Sequence, residues 1–503
     1  MDLFFHAYSY FPYEKELARR EVRQITGISK LTETAKCFRL PASVAKEKFR
    51  SLTYVAEVAS SEGRFATFQH ELEESHRRVA GLGKRQATRY SVHGLHEYKG
   101  RFNPQVVRFL LNYFGANKRT KILDPFCGSG TTLVESAIHG VTAVGLDMNP
   151  LAVFLSNAKL RALATPATEI NLALQSVLKS FKKLRTTQRV NTSDVRLAYL
   201  ANWFPAETLS LLETLRASIR EHGGRAESVL FSLASDLLRD YSLQEPSDLR
   251  IRRRICPLPS EPFLDVFATK ADAFLRNLGA AQEVTGLVEL DSEAVLEDSR
   301  ELVAAVKKKN LPNRYDFVIT SPPYATALPY IDTQRLSLVW LGLCSADEIR
   351  RLEADAVGSR EVRDKITDWQ QRLAENADNL PPRLASLCRK LQASLSPSDG
   401  FRRQATPMLI YRYFADMRRV FVGLNKVLNK DAKLAFVVGA THTTLGGQRF
   451  DIDAPTGLAS IAEDLGFGIT EVIPLQTYQR YGLHQKNSIQ AENLLMCRQH
   501  ELR

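Results

Sequence analysis

The chain has 503 residues, 44% hydrophobic and 25% charged, a composition that excludes large-scale disorder. That length exceeds one ordinary core and implies roughly two to four domains or large insertions. Its 68 Lys+Arg against 56 Asp+Glu leave a net charge of +12, a mild bias toward a polyanionic partner, of which nucleic acid is the commonest.

Six cysteines, at 37, 127, 256, 344, 388 and 497, contain no C-x-x-C pair. Neither a metal site nor a disulfide framework is expected, and a reducing cytoplasm fits. The start "MDLFFHAYSYFPYEKELARR" has no basic n-region and no uninterrupted apolar core, so a signal peptide is not expected. No apolar run approaches the roughly 20 residues that span a bilayer. A cytoplasmic, soluble protein with no membrane partner is therefore expected.

In chain order, residues 1–90 read as an N-terminal α+β module. "EKELARREVRQITG" has helical periodicity ending at Gly27, "RSLTYVAEVA" reads as a strand, and "FATFQHELEESHRRVAGL" is again helical. Over 91–160 the pattern changes to strand "KILD", turn "PFCGSG", helix "TTLVESAIHG" and strand "TAVGLD", a β-α-β unit. Residues 161–285 are a mostly helical insertion. The α/β pattern resumes over 286–344 with "VLEDSRELVAAV" and "YDFVIT". A polar insertion covers 345–408. Residues 409–503 bring the helix "FADMRRVFVGLNKVL", the strand "KLAFVVGA", the helix "LASIAEDLG" and final strands "ITEVIPLQ" and "NLLMCRQ".

The turn "DPFCGSGTT" carries the first chemical signal. Gly128 and Gly130 let the backbone approach a ligand where a helix N-terminus points its free N–H groups outward. Asp124 and Asp147 end successive strands, at the sheet edge where ligands bind in doubly wound folds. The loop lacks the third glycine of a dinucleotide fingerprint and the Lys-Ser/Thr of a P-loop. Asp124 would also repel a phosphate. A cationic, phosphate-free nucleoside fits better, namely S-adenosylmethionine, and a nicotinamide oxidoreductase is disfavoured.

D-P-F-C-G-S-G-T-T resembles motif I of the DNA amino-methyltransferases, which methylate N4 of cytosine or N6 of adenine. The resemblance covers 93–160 and 285–500, roughly 60% of the chain. It implies a seven-stranded, Rossmann-like class I methyltransferase sheet ending in an antiparallel hairpin, with the helical insertions and the N-terminal module added. It implies S-adenosylmethionine as cofactor, bound by Asp124, Pro125, Phe126, Cys127, Gly128, Ser129, Gly130 and Thr131. Asp147 would contact the ribose, with Met148 beside it, and Asp298 of "VLEDSREL" would face the adenine. Upstream, "HGLHEYKGRFNPQVVRFLL" resembles the segment that packs on the methionine end of the cofactor, matching at His96, Tyr98, Lys99, Phe102 and Pro104.

"YDFVITSPPY" resembles the strand and catalytic tetrapeptide of the same family, here Ser321, Pro322, Pro323 and Tyr324. The chemistry explains each residue. An aromatic amine is a poor nucleophile because its lone pair is delocalised. Acceptors for its N–H groups, the Ser321 hydroxyl and the Pro322 carbonyl, favour pyramidalisation. Tyr324 would stack on a base flipped from the duplex. Serine at the first position is typical of cytosine-N4 enzymes. Direct transfer gives Cys127 and Cys344 no nucleophilic role.

Double-stranded DNA is thus the expected partner, with RNA the weaker option and a restriction-modification or defence partner consistent with the family. In "YSLQEPSDLRIRRRICP", Arg250, Arg252, Arg253 and Arg254 are candidates for phosphate or base contact. Late loops carry His442, Arg449, Arg480, His484 and Lys486, and the histidines are left outside the catalytic set. The alternatives are adenine-N6 methylation, a THUMP-type RNA guanosine-N2 methyltransferase suggested by "ELARREV" and "RSLTYVAEV", and a non-catalytic nucleic-acid-binding protein with a degenerate fold.

Overall fold

The computed structural model describes residues 1–500 apart from 29, 41–45, 62, 81–85, 99, 101–102, 185–193, 249–250, 327–329, 364 and 477–490. The first five strands are β1 (Asp2–Phe4), β2 (Thr32–Glu33), β3 (Cys37–Arg39), β4 (Glu57–Ser60) and β5 (Gly63–Ala66). They form an antiparallel sheet in the order β2-β3-β1-β4-β5. The helix Pro12–Thr26 opens with proline in its first turn and stops at Gly27, whose φ of 74° gives the left-handed cap. "RSLTYVAEVA" is extended only from Glu57 onward. Leu52 to Ala56 are all buried, with no alternation between faces, so they pack as a loop between helix and sheet.

This module leans on the rest of the chain. Buried Glu21 accepts hydrogen bonds from the Asn112 amide at 2.6 Å, the Thr53 N–H at 3.0 Å and the Thr53 hydroxyl at 2.7 Å. Burial pushes its carboxyl up to about 7. Leu3, Leu17 and Phe38 belong to the same apolar cluster as Val107 and Ile122.

The larger sheet comprises β6 (Lys121–Asp124), β7 (Thr142–Asp147), β8 (Glu293–Leu296), β9 (Tyr315–Thr320) and β10 (Leu428–Gly439). A hairpin follows, β11 (Thr441–Leu445) and β12 (Gln448–Ile452), and then β13 (Phe467–Gln476) and β14 (Ala491–Gln499) complete the sheet. Its order is β13-β14-β10-β9-β6-β7-β8, parallel throughout except for β14, which runs antiparallel to both neighbours. This is the seven-stranded Rossmann-like sheet the motifs implied.

The period-two alternation of these strands divides the core. Ile122, Ala143, Ile319, Ala435 and Val437 point to one face, while Leu123, Val144, Val318, Leu434 and Phe436 point to the other. The helices Ala167–Leu184, Ala206–His222, Glu227–Ser235 and Phe263–Thr285 of the first insertion contribute Leu174, Leu212, Val229 and Phe267 to the first face. The second insertion contributes Trp369, Leu384 and Cys388 to the second. Both insertions are structural layers as well as decorations.

Two local expectations change. The helix read from "FADMRRVFVGLNKVL" begins earlier, at Thr406, so a boundary at 408 falls in its first turn. "THTTLGGQRFD", read as a connecting loop, is the β11–β12 hairpin. Gly446 and Gly447, at φ 54° and 76°, supply the two positive-φ positions of a two-residue turn. Among the described residues, no helix is long and apolar enough to cross a membrane.

Candidate active site

The parallel strands direct their carboxyl ends to one edge of the sheet, and a pocket opens there. It is lined by Tyr98, Gly100, Phe126, Gly128, Asp147, Met148, Asn149, Asp298, Ser299, Ser321, Pro322, Pro323, Tyr324, Ile331, Glu353, Ala356, Val357 and Ser359. Two distant stretches, 126–149 and 321–324, therefore converge on one space.

Asp147 organises the first side. Its Oδ2 accepts the Gly128 N–H at 2.9 Å and its Oδ1 accepts the Asn149 N–H at 2.8 Å. Burial pushes the carboxyl up to about 6. Gly128 and Gly130 take φ of 49° and 81°, and a Cβ on Gly130 would lie 2.8 Å from Ser156 Oγ. Glycine is required there by both conformation and contact.

Asp124 behaves differently from expectation. It is 1% exposed and absent from the lining. Its Oδ1 accepts the Thr320 hydroxyl at 2.6 Å and the Phe126 N–H at 3.1 Å, so it ties the first turn to the end of β9. Burial, with Asp147 nearby, pushes it up to about 6. Pro125, Cys127, Ser129, Gly130, Thr131 and Pro104 are likewise outside the lining. Cys127 is buried under the loop, and the Lys159 ammonium donates to the Ser129 carbonyl at 2.7 Å and hydroxyl at 3.1 Å. Phe102 and Lys99 lie outside the described residues. His96 turns away from the pocket, its ring bonded to the Glu97 carbonyl at 2.8 Å and Ser235 Oγ at 3.1 Å.

On the second side, the Ser321 hydroxyl donates to the Val437 carbonyl of β10 at 3.0 Å. The Tyr324 hydroxyl donates to Glu492 on β14. Asp298 reaches the pocket already gripped by its neighbour. The Arg300 guanidinium donates to Oδ1 and Oδ2 from Nε at 3.0 Å each and to Oδ2 from Nη2 at 2.6 Å.

Several lining residues were missed by sequence reading. Asn149 carried a local signal, an Asn-Pro helix start two residues after Asp147, and its side chain caps Leu151 at 3.0 Å. Glu353, Ala356, Val357 and Ser359 carried none, because they arrive from the second insertion. Arg412 holds that segment by donating to the Ser359 and Glu361 carbonyls at 2.6 and 2.9 Å. Burial, with Asp332 close by, pushes Glu353 up to about 7.

Among the described residues, the lining holds Asp147, Asp298 and Glu353 and no lysine or arginine. Such a field favours a ligand with net positive charge, and suits a sulfonium better than a pyrophosphate. The arginine run sits elsewhere. Arg253 stacks on Trp203, 4.8 Å from the ring centre, and donates to the Asn202 carbonyl at 2.6 Å. Arg254 donates to the Asp240 and Pro257 carbonyls at 2.8 and 3.2 Å, Arg252 pairs with Asp248 at 3.3 Å, and Arg250 is outside the described residues. None of the three described arginines is in the pocket lining.

A family model described as an RMKL-like methyltransferase domain matches residues 95–201, which include the Gly128 turn and Asp147. The chain carries a methyltransferase domain. Its methyl donor is S-adenosylmethionine. This methyltransferase is 24% identical to the Type II methyltransferase M.BsoBI of Geobacillus stearothermophilus, over 78% of this chain and 81% of that protein. It is 25% identical to the Type II methyltransferase M.AvaI of a Nostoc species, over 78% and 83%. A shorter similarity, 40% over 52 residues, links 10% of this chain to 16% of a tRNA (guanine(10)-N2)-dimethyltransferase of Methanothermobacter thermautotrophicus.

Proposed function

We propose that this methyltransferase transfers a methyl group to the exocyclic N4 amine of cytosine in double-stranded DNA, as the modification partner of a restriction system. Similarity to the Type II methyltransferases over most of the chain, and the resemblance of "DPFCGSGTT" and "SPPY" to the DNA amino-methyltransferases, support DNA as the substrate. The net charge of +12 suits a polyanion. The tRNA enzyme shares only 52 residues with this chain, which makes RNA guanosine the second reading.

The cytosine-N4 reading rests on serine at the head of S-P-P-Y, and the Ser321–Val437 hydrogen bond supports that hydroxyl as an acceptor for an exocyclic amine. A hydroxyl that spends its proton on a backbone carbonyl presents only lone pairs to an incoming group, and an amine N–H can donate to them. The Pro322 carbonyl serves the second N–H. Together they draw the amine toward a tetrahedral geometry with a localised lone pair. Tyr324 provides the face for the flipped base. Asp147, which accepts the Gly128 and Asn149 N–H groups, would hold the ribose hydroxyls with its remaining lone pairs. Asp298, oriented by Arg300, would take the adenine amine, while Phe126 and Met148, which line the pocket, would pack on the nucleoside. When bound, S-adenosylmethionine would supply an electrophilic methyl to the amine, departing as the neutral thioether while the amine gives up one proton to water. No covalent enzyme intermediate is required.

The test is transfer of labelled methyl into duplex DNA and into RNA, followed by digestion and mass spectrometry of the nucleosides. N4-methylcytosine is expected. Label found solely as N6-methyladenine removes the serine argument, and label found solely in RNA guanosine removes DNA.

A further inference from the structure

β14 is the one strand of the large sheet that runs against its neighbours, and it brings its first residues to the carboxyl-end edge of the parallel strands. Glu492 stands second in that strand, opposite Gly439 of β10 on one side and Leu475 of β13 on the other. Its Oε1 accepts the Tyr324 hydroxyl. Two residues beyond Glu492, Leu494 pairs with Val437, whose carbonyl accepts the Ser321 hydroxyl. Adjacent strands thus grip the first and last residues of the S-P-P-Y turn. The main chain of the turn is pressed from above by Gly358. At φ 75°, a Cβ on that residue would lie 2.4 Å from the Tyr324 carbonyl oxygen.

From this geometry we infer that Glu492 is a positioning residue for methyl transfer, holding the Tyr324 ring in the plane on which the target base stacks. The inference rests on the proposed transfer to a flipped base. A tyrosine ring fixed at its backbone alone retains rotation about two side-chain bonds. A hydroxyl tethered to a strand fixes the first rotation, and because a phenol O–H prefers the ring plane, its direction toward Glu492 biases the second before substrate arrives, so less ordering cost falls on binding. Burial raises the Glu492 carboxyl above its usual range, and the bond from Tyr324 opposes the rise. The proline pair holds the backbone between the two grips stiff. A small error in ring placement matters, because misplacement by about 1 Å near a reacting centre costs as much as ~100-fold in rate.

The test has two arms. In the first, the free protein carries 3-fluorotyrosine, and the Tyr324 signal is assigned by its loss in Tyr324→Phe. Glu492→Ala should shift or broaden that fluorine resonance, and Glu492→Gln, which keeps an acceptor oxygen, should leave it near the wild-type position. In the second, turnover is measured on the substrate that the wild-type protein methylates. Glu492→Ala and Tyr324→Phe should each lower kcat/KM for nucleic acid by about 10- to 100-fold with unchanged S-adenosylmethionine affinity. The double variant should be no worse than either alone, and Glu492→Gln should recover most of the loss. Losses that add, a Glu492→Gln variant as poor as Glu492→Ala, or an unmoved fluorine signal would overturn the inference. If Glu492→Ala does not fold, Tyr324→Phe and Glu492→Gln decide it. A moved fluorine signal in a protein that methylates RNA alone would instead fault the DNA assignment and leave the tether standing.

Discussion

The main-chain N–H of Gly128 donates to the Asp147 carboxylate at 2.9 Å, joining the turn after the first parallel strand to the end of the second. The acid is therefore part of the turn's architecture before any ligand arrives. The same carboxylate accepts the Asn149 N–H at 2.8 Å, so it also holds the residue whose side chain caps the next helix. Asp147 also lines the pocket at the sheet edge.

Replacing Asp147 with alanine should weaken S-adenosylmethionine binding by about 1–3 kcal/mol, the usual cost of leaving polar partners unsatisfied. Titration calorimetry checks it, with NAD as the ligand that should not bind. An unchanged affinity would remove Asp147 from the cofactor site.

Cofactor affinity should also fall as the pH drops from 7 to 5. Burial pushes the Asp147 carboxyl up to about 6 from a usual 3.8, so the acid is protonated across that window and loses its attraction for a cationic ligand. The effect on folding has the opposite sign. A raised carboxyl in the folded state means that folded protein binds the extra proton, so this group's charging penalty is relieved as pH falls through 6. Calorimetry at pH 5, 6, 7 and 8 should show the decline in wild type and a flatter profile in Asp147→Asn.

Gly145→Ala should destabilise the fold by about 1–3 kcal/mol, the range for overpacking a filled core. A Cβ on Gly145 would meet Cys127 Cβ at 2.6 Å and Leu133 Cδ1 at 2.8 Å, directly beneath the Gly128 turn. Thermal unfolding reads the loss, and an unshifted midpoint would mean that the turn yields.

Ser321→Ala should bind S-adenosylmethionine normally and lose at least ~100-fold in kcat, since an acceptor aimed at the transition state acts on the chemical step. Single-turnover transfer with the cofactor affinity measured in parallel separates the two. Equal losses in both would mean that Ser321 supports the pocket's shape instead.

Arg252 and Arg253 should part company. Arg252 has a side chain 68% exposed, and its loss should reduce the log–log salt slope of DNA binding by roughly 0.9, one phosphate contact. Arg253, stacked on Trp203, should lower the thermal midpoint when changed to alanine and leave the slope unaltered. Binding isotherms across a salt series, beside melting curves, distinguish them.

Much of this was legible in the chain because its elements obey local rules. "KILD" and "TAVGLD" are strands from Lys121 to Asp124 and from Thr142 to Asp147, as their unbroken apolar runs imply for a sheet covered on both faces. The helix Thr131–His139 ends at Gly140, which takes the left-handed conformation its place after the last turn implies. The Gly446–Gly447 hairpin was overlooked although its signal was present: two adjacent glycines between short alternating runs.

The sequence by itself determined the chemistry: an acid at the end of each of two strands, glycines in the turn between them, and a serine before a proline pair. Those residues sit in short stretches whose spacing follows local strand and turn geometry, so the spacing reveals them. Tertiary structure alone decided which of them reach the pocket. It put Asp124 under the turn and bonded it to Thr320, 196 positions away. It brought Glu353 to the pocket from an insertion with no motif, and set Glu492 against Tyr324 from a strand 168 positions later. Such contacts depend on strand order and on which side of the sheet an insertion covers. Those are set by burial of apolar surface over the whole chain, a property that no short stretch encodes.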